Sequence, residues 1–307
     1  VRLFNYMRPA SGSRSSSSGV GVEVGGELFS LQTLWALAYG PSSYGGAFPS
    51  SIDAMIERDM LRKGLPGEVS ATLIECGPGT RERMMLPKDA TFAPPLMRPG
   101  KILAVARNYR AHAAEMGSEA PPELRWFLKI PSTVIPSGAP IEVPAWLEGE
   151  VHHEAELALV IGKPAKNLSE AEAPEVIAGY TVLNDVTARG MQAEAKQQRM
   201  PWDAAKNLDG FCPMGPFFVL SESIANPANL AVECRVNGEV RQQGNTSDMM
   251  HSVAKIVSDL SKHLTLLPGD VIATGTPEGV GALNDGDVVE CEIESIGVLR
   301  NPVVRGS

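Results

Sequence analysis

Glu154, Glu156 and Asp185 are the residues of this 307-residue chain whose types and spacing could do chemistry together. The first two sit in the run His152-His153-Glu154-Ala155-Glu156-Leu157-Ala158-Leu159-Val160-Ile161, which turns apolar and β-branched toward its end and so reads as a strand. Side chains alternate faces along a strand, so Glu154 and Glu156 point the same way. Asp185 closes a second strand-like run, Tyr180 to Asn184, just before the polar stretch Thr187-Ala188-Arg189. Carboxylates gathered on one buried face repel each other, and each ion taken out of water carries a desolvation penalty. A divalent cation relieves both. An all-oxygen ligand set without thiolate or imidazole suits Mg²⁺ or Mn²⁺.

A lone Glu-x-Glu is more often a solvent-facing pair, since charged residues are rarely buried. The surrounding sequence points the other way. Arg107-Asn108-Tyr109-x-x-His112, Phe127-Leu128-Lys129, His152-His153-Glu154-x-Glu156-Leu157, Asp185-x-Thr187-Ala188-Arg189, Pro201-Trp202-x-x-Ala205-Lys206 and Gly275-Thr276-Pro277-x-Gly279-Val280-Gly281 follow one another in this order. Together, from Lys101 to near the C-terminus, they resemble the fumarylacetoacetate hydrolase family. The resemblance implies that Glu154, Glu156 and Asp185 ligate Mg²⁺ or Mn²⁺ and that Lys206 lies near metal and substrate. It implies that His112 and Glu115 act as a base or activate water from a lid. It further implies that Arg107, Tyr109, Lys129, Arg189 and Gln192 contact substrate, and that Thr276 belongs to the loop holding the substrate carboxylate. Lys129-Ile130-Pro131-Ser132 departs locally from the Lys-Pro of many relatives. The implied fold is α+β, a mixed β-sheet roll preceded by a small N-terminal α+β domain, in a chain that forms homodimers.

The chemistry can be argued from the residues as well. A 2-oxo acid offers a carboxylate oxygen and a ketone oxygen that chelate one cation, which polarises the ketone and stabilises an enolate. His112 and Glu115 are three residues apart in a helix-like segment and share a face, so a hydrogen-bonded pair would suit the imidazole to take a proton from water. From spacing alone, an exposed helical histidine with an incidental ion pair is the simpler account. The expected activity is C–C bond hydrolysis of an acylpyruvate-like or diketo-acid substrate. Decarboxylation, isomerisation or dehydration of a related 2-oxo acid would use the same centre. A silent metal-dependent binding protein is the alternative from another class, one with no evident need for an acid/base pair.

Weaker signals surround this set. His152-His153 lacks the helical His-Glu-x-x-His spacing of a zinc site, and adjacent strand residues face opposite sides. The loop 275–281 lacks the Gly-Lys-Ser/Thr ending of a P-loop, although its backbone N–H groups could bind a carboxylate, and it also reads as a tight hairpin connection. Cys76, Cys212, Cys234 and Cys291 form no Cys-x-x-Cys pair and read as free thiols of a reducing cytoplasm. Cys212, soon after Lys206, is more readily a small buried filler than a reactive group.

A net charge of -9 argues against nucleic acid or anionic membrane as main partner, so the expected partner is a small anionic 2-oxo acid. No apolar run approaches the ~20 residues of a membrane span, and no leader pattern is seen, which together lead to the expectation of a cytoplasmic enzyme. The proline-rich stretch 93–100 reads as a linker between an N-terminal domain, 1–97, and a catalytic domain, 98–307. Before it, 19–30 forms a hairpin about Gly25-Gly26, helices follow near 31–38 and 51–63, and 11–19 is a serine-rich flexible loop. Beyond it strands dominate, with helices predicted at 169–178, 189–198 and 249–263.

Overall fold

The computed structural model describes residues 1–8, 17–41, 43, 46–86, 89–117 and 121–306; the expected serine-rich loop falls largely outside them. A six-stranded mixed sheet organises the molecule. Its order is Val219–Leu220, Ile177–Asn184, Ala155–Ile161, Val271–Ala273, Ile102–Ala106 and Arg125–Lys129. Ala155–Ile161 lies inside it, antiparallel to Ile177–Asn184 on one side and to Val271–Ala273 on the other, and every residue of it is buried. A near-continuous apolar run suits a strand covered on both faces.

The two-residue period divides that strand between two cores. Leu157, Leu159 and Ile161 pack with Val232, Val289 and Ile293 of a five-stranded sheet. Ala158 and Val160, on the other face, pack with Leu3, Phe29 and Leu34 of the N-terminal region. Glu154 and Glu156 share the parity of Ala158 and Val160, as Asp185 shares that of Leu183 in the same core, so the acids stand where this second core stops. The five-stranded sheet runs Glu239–Asn245, Ala231–Val236, Val288–Ile293, Gly297–Arg305, Ile141–Val143.

The N-terminal strands Arg2–Arg8, Ser17–Val24, Glu27–Ser30 and Thr91–Ala93 form a four-stranded sheet with the hairpin expected at Gly25-Gly26, both at positive φ. The proline-rich stretch after it is tied down. Asn5 donates to the carbonyls of Pro94 and Pro95, each at 2.9 Å, and Asp53 accepts from the N–H groups of Met97 and Arg98.

Several expected elements change. The helix expected at 51–63 is only Ile52–Glu57, ended by Asp59 at φ 53°, and Leu65–Glu75 and Pro78–Met84 add helices with Pro in their first turns. The helix expected at 169–178 does not form. Residues Ala173–Val176 make one 3₁₀ turn, and residues 177–178 join the strand Ile177–Asn184, because sheet pairing outweighs weak helical propensity. The last helix starts at Val253, capped by Ser252, rather than at 249. The loop 275–281 is no hairpin: it leaves the six-stranded sheet at Ala273 and the next strand, Val288–Ile293, belongs to the five-stranded one. Among the described residues no helix is long and apolar enough to cross a membrane.

Candidate active site

Glu154 precedes the strand Ala155–Ile161, Glu156 is its second residue, and Asp185 directly follows Ile177–Asn184. The antiparallel register sets Ala155 opposite Asn184, and two hydrogen bonds lock the ends: Asp185 N–H donates to the Glu154 carbonyl at 2.9 Å and Glu154 N–H to Asn184 Oδ1 at 2.9 Å. One oxygen from each of the three carboxylates lies within 4.8 Å of the others, and the exposures are 5%, 1% and 1%.

Cations compensate two of the three acids. Lys206, ending the short turn Asp203–Lys206, reaches Glu154 Oε2 at 2.8 Å and Asp185 Oδ2 at 2.6 Å. Arg189, at the start of the helix Arg189–Gln197, pairs with Glu154 and donates to Gln192 Oε1 at 3.0 Å. Lys129 Nζ lies 2.7 Å from Asp185 Oδ1, off hydrogen-bond angle, while donating to the Lys206 carbonyl. Burial alone would raise the Glu154 pKa, but Lys206 and then Arg189 outweigh it and hold the carboxyl well below the usual range. Burial would likewise lower that of Lys206, and Asp185 and Glu154 hold it up.

Glu156 differs. It accepts one hydrogen bond, from Gly275 N–H at 2.7 Å, and no cation pairs with it among the described residues. Burial first, then the charges of Asp185 and Glu154, push its pKa well up. A buried carboxylate without a cation, facing two others at ligand distance, is an arrangement that a divalent ion fits, and the donor set is all oxygen as Mg²⁺ or Mn²⁺ prefers.

His112 is buried on the short helix Arg110–Glu115, with Nδ1 3.2 Å from Glu115 Oε2; Glu115 Oε1 accepts from Gly279 N–H at 3.0 Å. The pair is thereby pinned to the loop 275–281. His112, Arg107, Arg189, Gln192, Lys206 and Thr276 line one cavity with the three acids, a space of about 40 Å³. Tyr109, Lys129 and Glu115 are not part of that lining: Lys129 stands behind Asp185, and the fully buried Tyr109 has a hydroxyl with no hydrogen-bond partner among the described residues. Burial, then the charge of Glu156, raises its phenol pKa, so it remains an O–H. Cys212 is a buried thiol pushed up to about 12, chiefly by burial.

Several residues of the site carry no sequence signal of their own. Lys196 also lines the cavity, beside Trp202 of the Pro201-Trp202-x-x-Ala205-Lys206 motif, and Arg107 and Lys196 have no ion-pair partner among the described residues. Partial burial, then Arg107, Arg189 and Lys206, lower the Lys196 pKa. Gln242, wholly buried on the otherwise solvent-facing strand Glu239–Asn245, accepts from His153 Nδ1 at 3.0 Å and Ala155 N–H at 3.1 Å and donates to Thr276 Oγ1 and the Pro277 carbonyl, both at 2.8 Å. His152 and His153 diverge as strand neighbours should: His153 is buried against Gln242 and His152 bonds Glu150, so neither joins the acids.

The arrangement has counterparts. Residues 101–304 match the model of the fumarylacetoacetate (FAA) hydrolase C-terminal family. The chain is 35% identical to the mitochondrial oxaloacetate tautomerase fahd2 of Xenopus laevis, over 99% of this chain and 90% of that one. Among solved structures, a fumarylacetoacetate hydrolase from Exiguobacterium antarcticum superposes with a TM-score of 0.78 at 32% identity, covering 99% of both chains. A maleylpyruvate hydrolase from Sphingobium sp. SYK-6, solved with manganese(II) and pyruvate, does so with a TM-score of 0.75 at 29% identity over 100% of both. With its motifs, fold and carboxylate centre in agreement, the chain belongs to the fumarylacetoacetate hydrolase family.

Proposed function

We propose that the protein is a divalent-metal-dependent enzyme that takes a small 2-oxo acid bearing a second acidic group and moves a proton beside its ketone, interconverting keto and enol forms. The observation that carries this reading is the charge pattern of one cavity: three converging buried acids, one of them unpaired, and two cations, Arg107 and Lys196, without carboxylate partners. Glu154, Glu156 and Asp185 would hold the metal, Mg²⁺ or Mn²⁺. When bound, a divalent cation there supplies electrophilic stabilisation to the ketone oxygen and to the negative charge that develops on it.

The chain's own residues do the rest. Thr276 borders the oxo-acid end, and Arg107 and Lys196 attract a distal carboxylate at the rim. His112, oriented by Glu115, takes the proton from the carbon next to the ketone and delivers it to the former ketone oxygen to give the enol, the reverse transfers restoring the keto form. Lys206 and Arg189 hold Glu154 ionised and Lys206 holds Asp185 in place. The full-length likeness to an oxaloacetate tautomerase supports proton transfer, as does a 2-hydroxyhepta-2,4-diene-1,7-dioate isomerase from Mycobacterium marinum at 32% identity and a TM-score of 0.69.

A second reading is C–C hydrolysis of an acylpyruvate-like substrate, in which the same His112–Glu115 pair directs water at the distal carbonyl; a pair pinned beside the cavity favours it. One panel separates them: oxaloacetate, hydroxydienedioates, acylpyruvates and keto-deoxy sugar acids, each with Mg²⁺, Mn²⁺ and EDTA. EDTA-sensitive loss of enol absorbance without change of mass is the expected result. Release of pyruvate plus a carboxylic acid would favour hydrolysis, and turnover insensitive to EDTA would sink the metal-centred reading altogether.

A further inference from the structure

We propose that Gln242 is the positioning residue of the 275–281 loop: it fixes the direction of the Thr276 hydroxyl and clamps that loop to the strand bearing the acids. The inference rests on the reading of the cavity as a 2-oxo-acid site. Its amide orientation is set by partners of unambiguous polarity. Ala155 N–H can only donate, so Oε1 faces it; the Pro277 carbonyl can only accept, so Nε2 faces that. Nε2 therefore donates to Thr276 Oγ1, whose own proton goes to the Ala155 carbonyl at 2.9 Å. His153 Nδ1, bonded to Oε1, must carry a proton.

One side chain thus ties the residue between Glu154 and Glu156 to the two residues after Gly275, whose N–H holds Glu156. The backbone is shaped for it. Cys234 pairs with Gln242 but Arg235 with Val240, so Arg241 is an extra residue, a bulge that re-aims Gln242 inward on an edge strand whose residues 239–241 and 243 are all exposed. The loop presses directly on this bulge: a Cβ on Gly279, at φ 92°, would stand 2.0 Å from the Arg241 carbonyl oxygen, and one on Gly244 would stand 2.6 Å from Pro277 Cβ. All four hydrogen-bonding positions of a wholly buried amide are used, which a space-filling role would not require.

The test uses the full-length protein with Gln242→Met, Gln242→Glu, Thr276→Val and the Gln242→Met/Thr276→Val double variant. Four quantities are read: Mn²⁺ affinity by electron paramagnetic resonance, oxalate affinity of the Mn²⁺-loaded protein by calorimetry, and KM and kcat for the best 2-oxo acid. Losing two buried hydrogen bonds to the loop is expected to weaken oxalate binding and raise KM roughly 10- to 100-fold, with Mn²⁺ affinity and kcat much less affected. The double variant should be little worse than Gln242→Met alone, because the contact with Thr276 is already lost there. Gln242→Glu keeps the Oε1 acceptor toward Ala155 and His153 but sets an oxygen against Thr276 Oγ1 and the Pro277 carbonyl in place of the donor Nε2, so it should show the same KM-weighted defect. Variants with wild-type KM and oxalate affinity, or with Mn²⁺ affinity falling as far as oxalate affinity, would overturn the proposal. A wild-type protein that binds Mn²⁺ but neither oxalate nor any 2-oxo acid would overturn the functional reading itself, and this proposal with it.

Discussion

Two Glu-x-Glu pairs of the same spelling meet opposite fates here. Glu154-Ala155-Glu156 is sealed against Asp185, Lys206 and Lys129, whereas Glu290-Cys291-Glu292 lies on the outer face of the five-stranded sheet around Arg235, which also pairs with Glu233. Each group places three carboxylates on neighbouring segments; Arg235 pairs with all three of the outer set, Lys206 with only two of the inner. The outer carboxylates keep 27% to 42% of their exposure and water screens them, while the inner carboxylates keep 6% or less. Strand parity decided both: Cys234 and Cys291 take the inward positions of the outer pair, in register and 3.9 Å apart, so the acids beside them face out. Burial, rather than residue type, turns an acidic cluster into a site with unmet charge.

The widest separation between the two clusters is expected in turnover. Glu156→Ala should lose on the order of 10²- to 10³-fold or more in kcat/KM, the scale of removing an electrostatic stabiliser from a closed site. Glu292→Ala should stay within about 2-fold, since exposed pairs contribute little; steady-state kinetics with Mg²⁺ or Mn²⁺ on both variants checks the contrast, and equal losses would erase it. Next comes stability. Lys206→Met removes the buried cation shared by Glu154 and Asp185, leaving them only Arg189 and Lys129, and should cost about 3–5 kcal/mol in metal-free protein, whereas Arg235→Met should cost about 1 kcal/mol or less and be salt-sensitive. Denaturant titrations at two ionic strengths measure both.

The smallest effect concerns pH. Burial, then Asp185 and Glu154, raise the folded pKa of Glu156 above the unfolded carboxylate value of about 4.3. Its contribution to stability is therefore fully present below about pH 4 and is lost as pH rises through the raised folded value. Metal-free Glu156→Gln should match wild type in acid and exceed it toward neutrality, and the gap should close when Mn²⁺ is added to wild type. Urea midpoints from pH 4 to 8, with and without Mn²⁺, would show a flat difference if Glu156 were in fact compensated.

Much of the site could be read before folding, and the reasons differ by residue. Glu154, Glu156, Asp185, His112 and Lys206 lie in short motifs whose order along the chain is specific, and strand parity correctly set both glutamates on one face. Tyr109 and Lys129 sit in equally specific motifs, yet they stand behind the cavity wall. The helix expected at 169–178 failed because the strand Ile177–Asn184 of the six-stranded sheet claimed its end. Gln242 gave no signal, for its strand reads as polar and its inward turn is made by a bulge.

By itself the sequence determined local matters: an apolar strand, the parity of the acids on it, a hairpin at Gly25-Gly26, the helix Arg189–Gln197 and the ordered set of functional residues. These follow from periodicity and turn chemistry, which act between near neighbours. Only the tertiary structure decided which Glu-x-Glu would be dehydrated, that Glu156 would lack a cation, that Arg107 and Lys196 would stand unpaired at one cavity, and that Gln242 would join two sheets. Those outcomes depend on register between distant strands and on the exclusion of water, and both exist only once the chain has closed on itself.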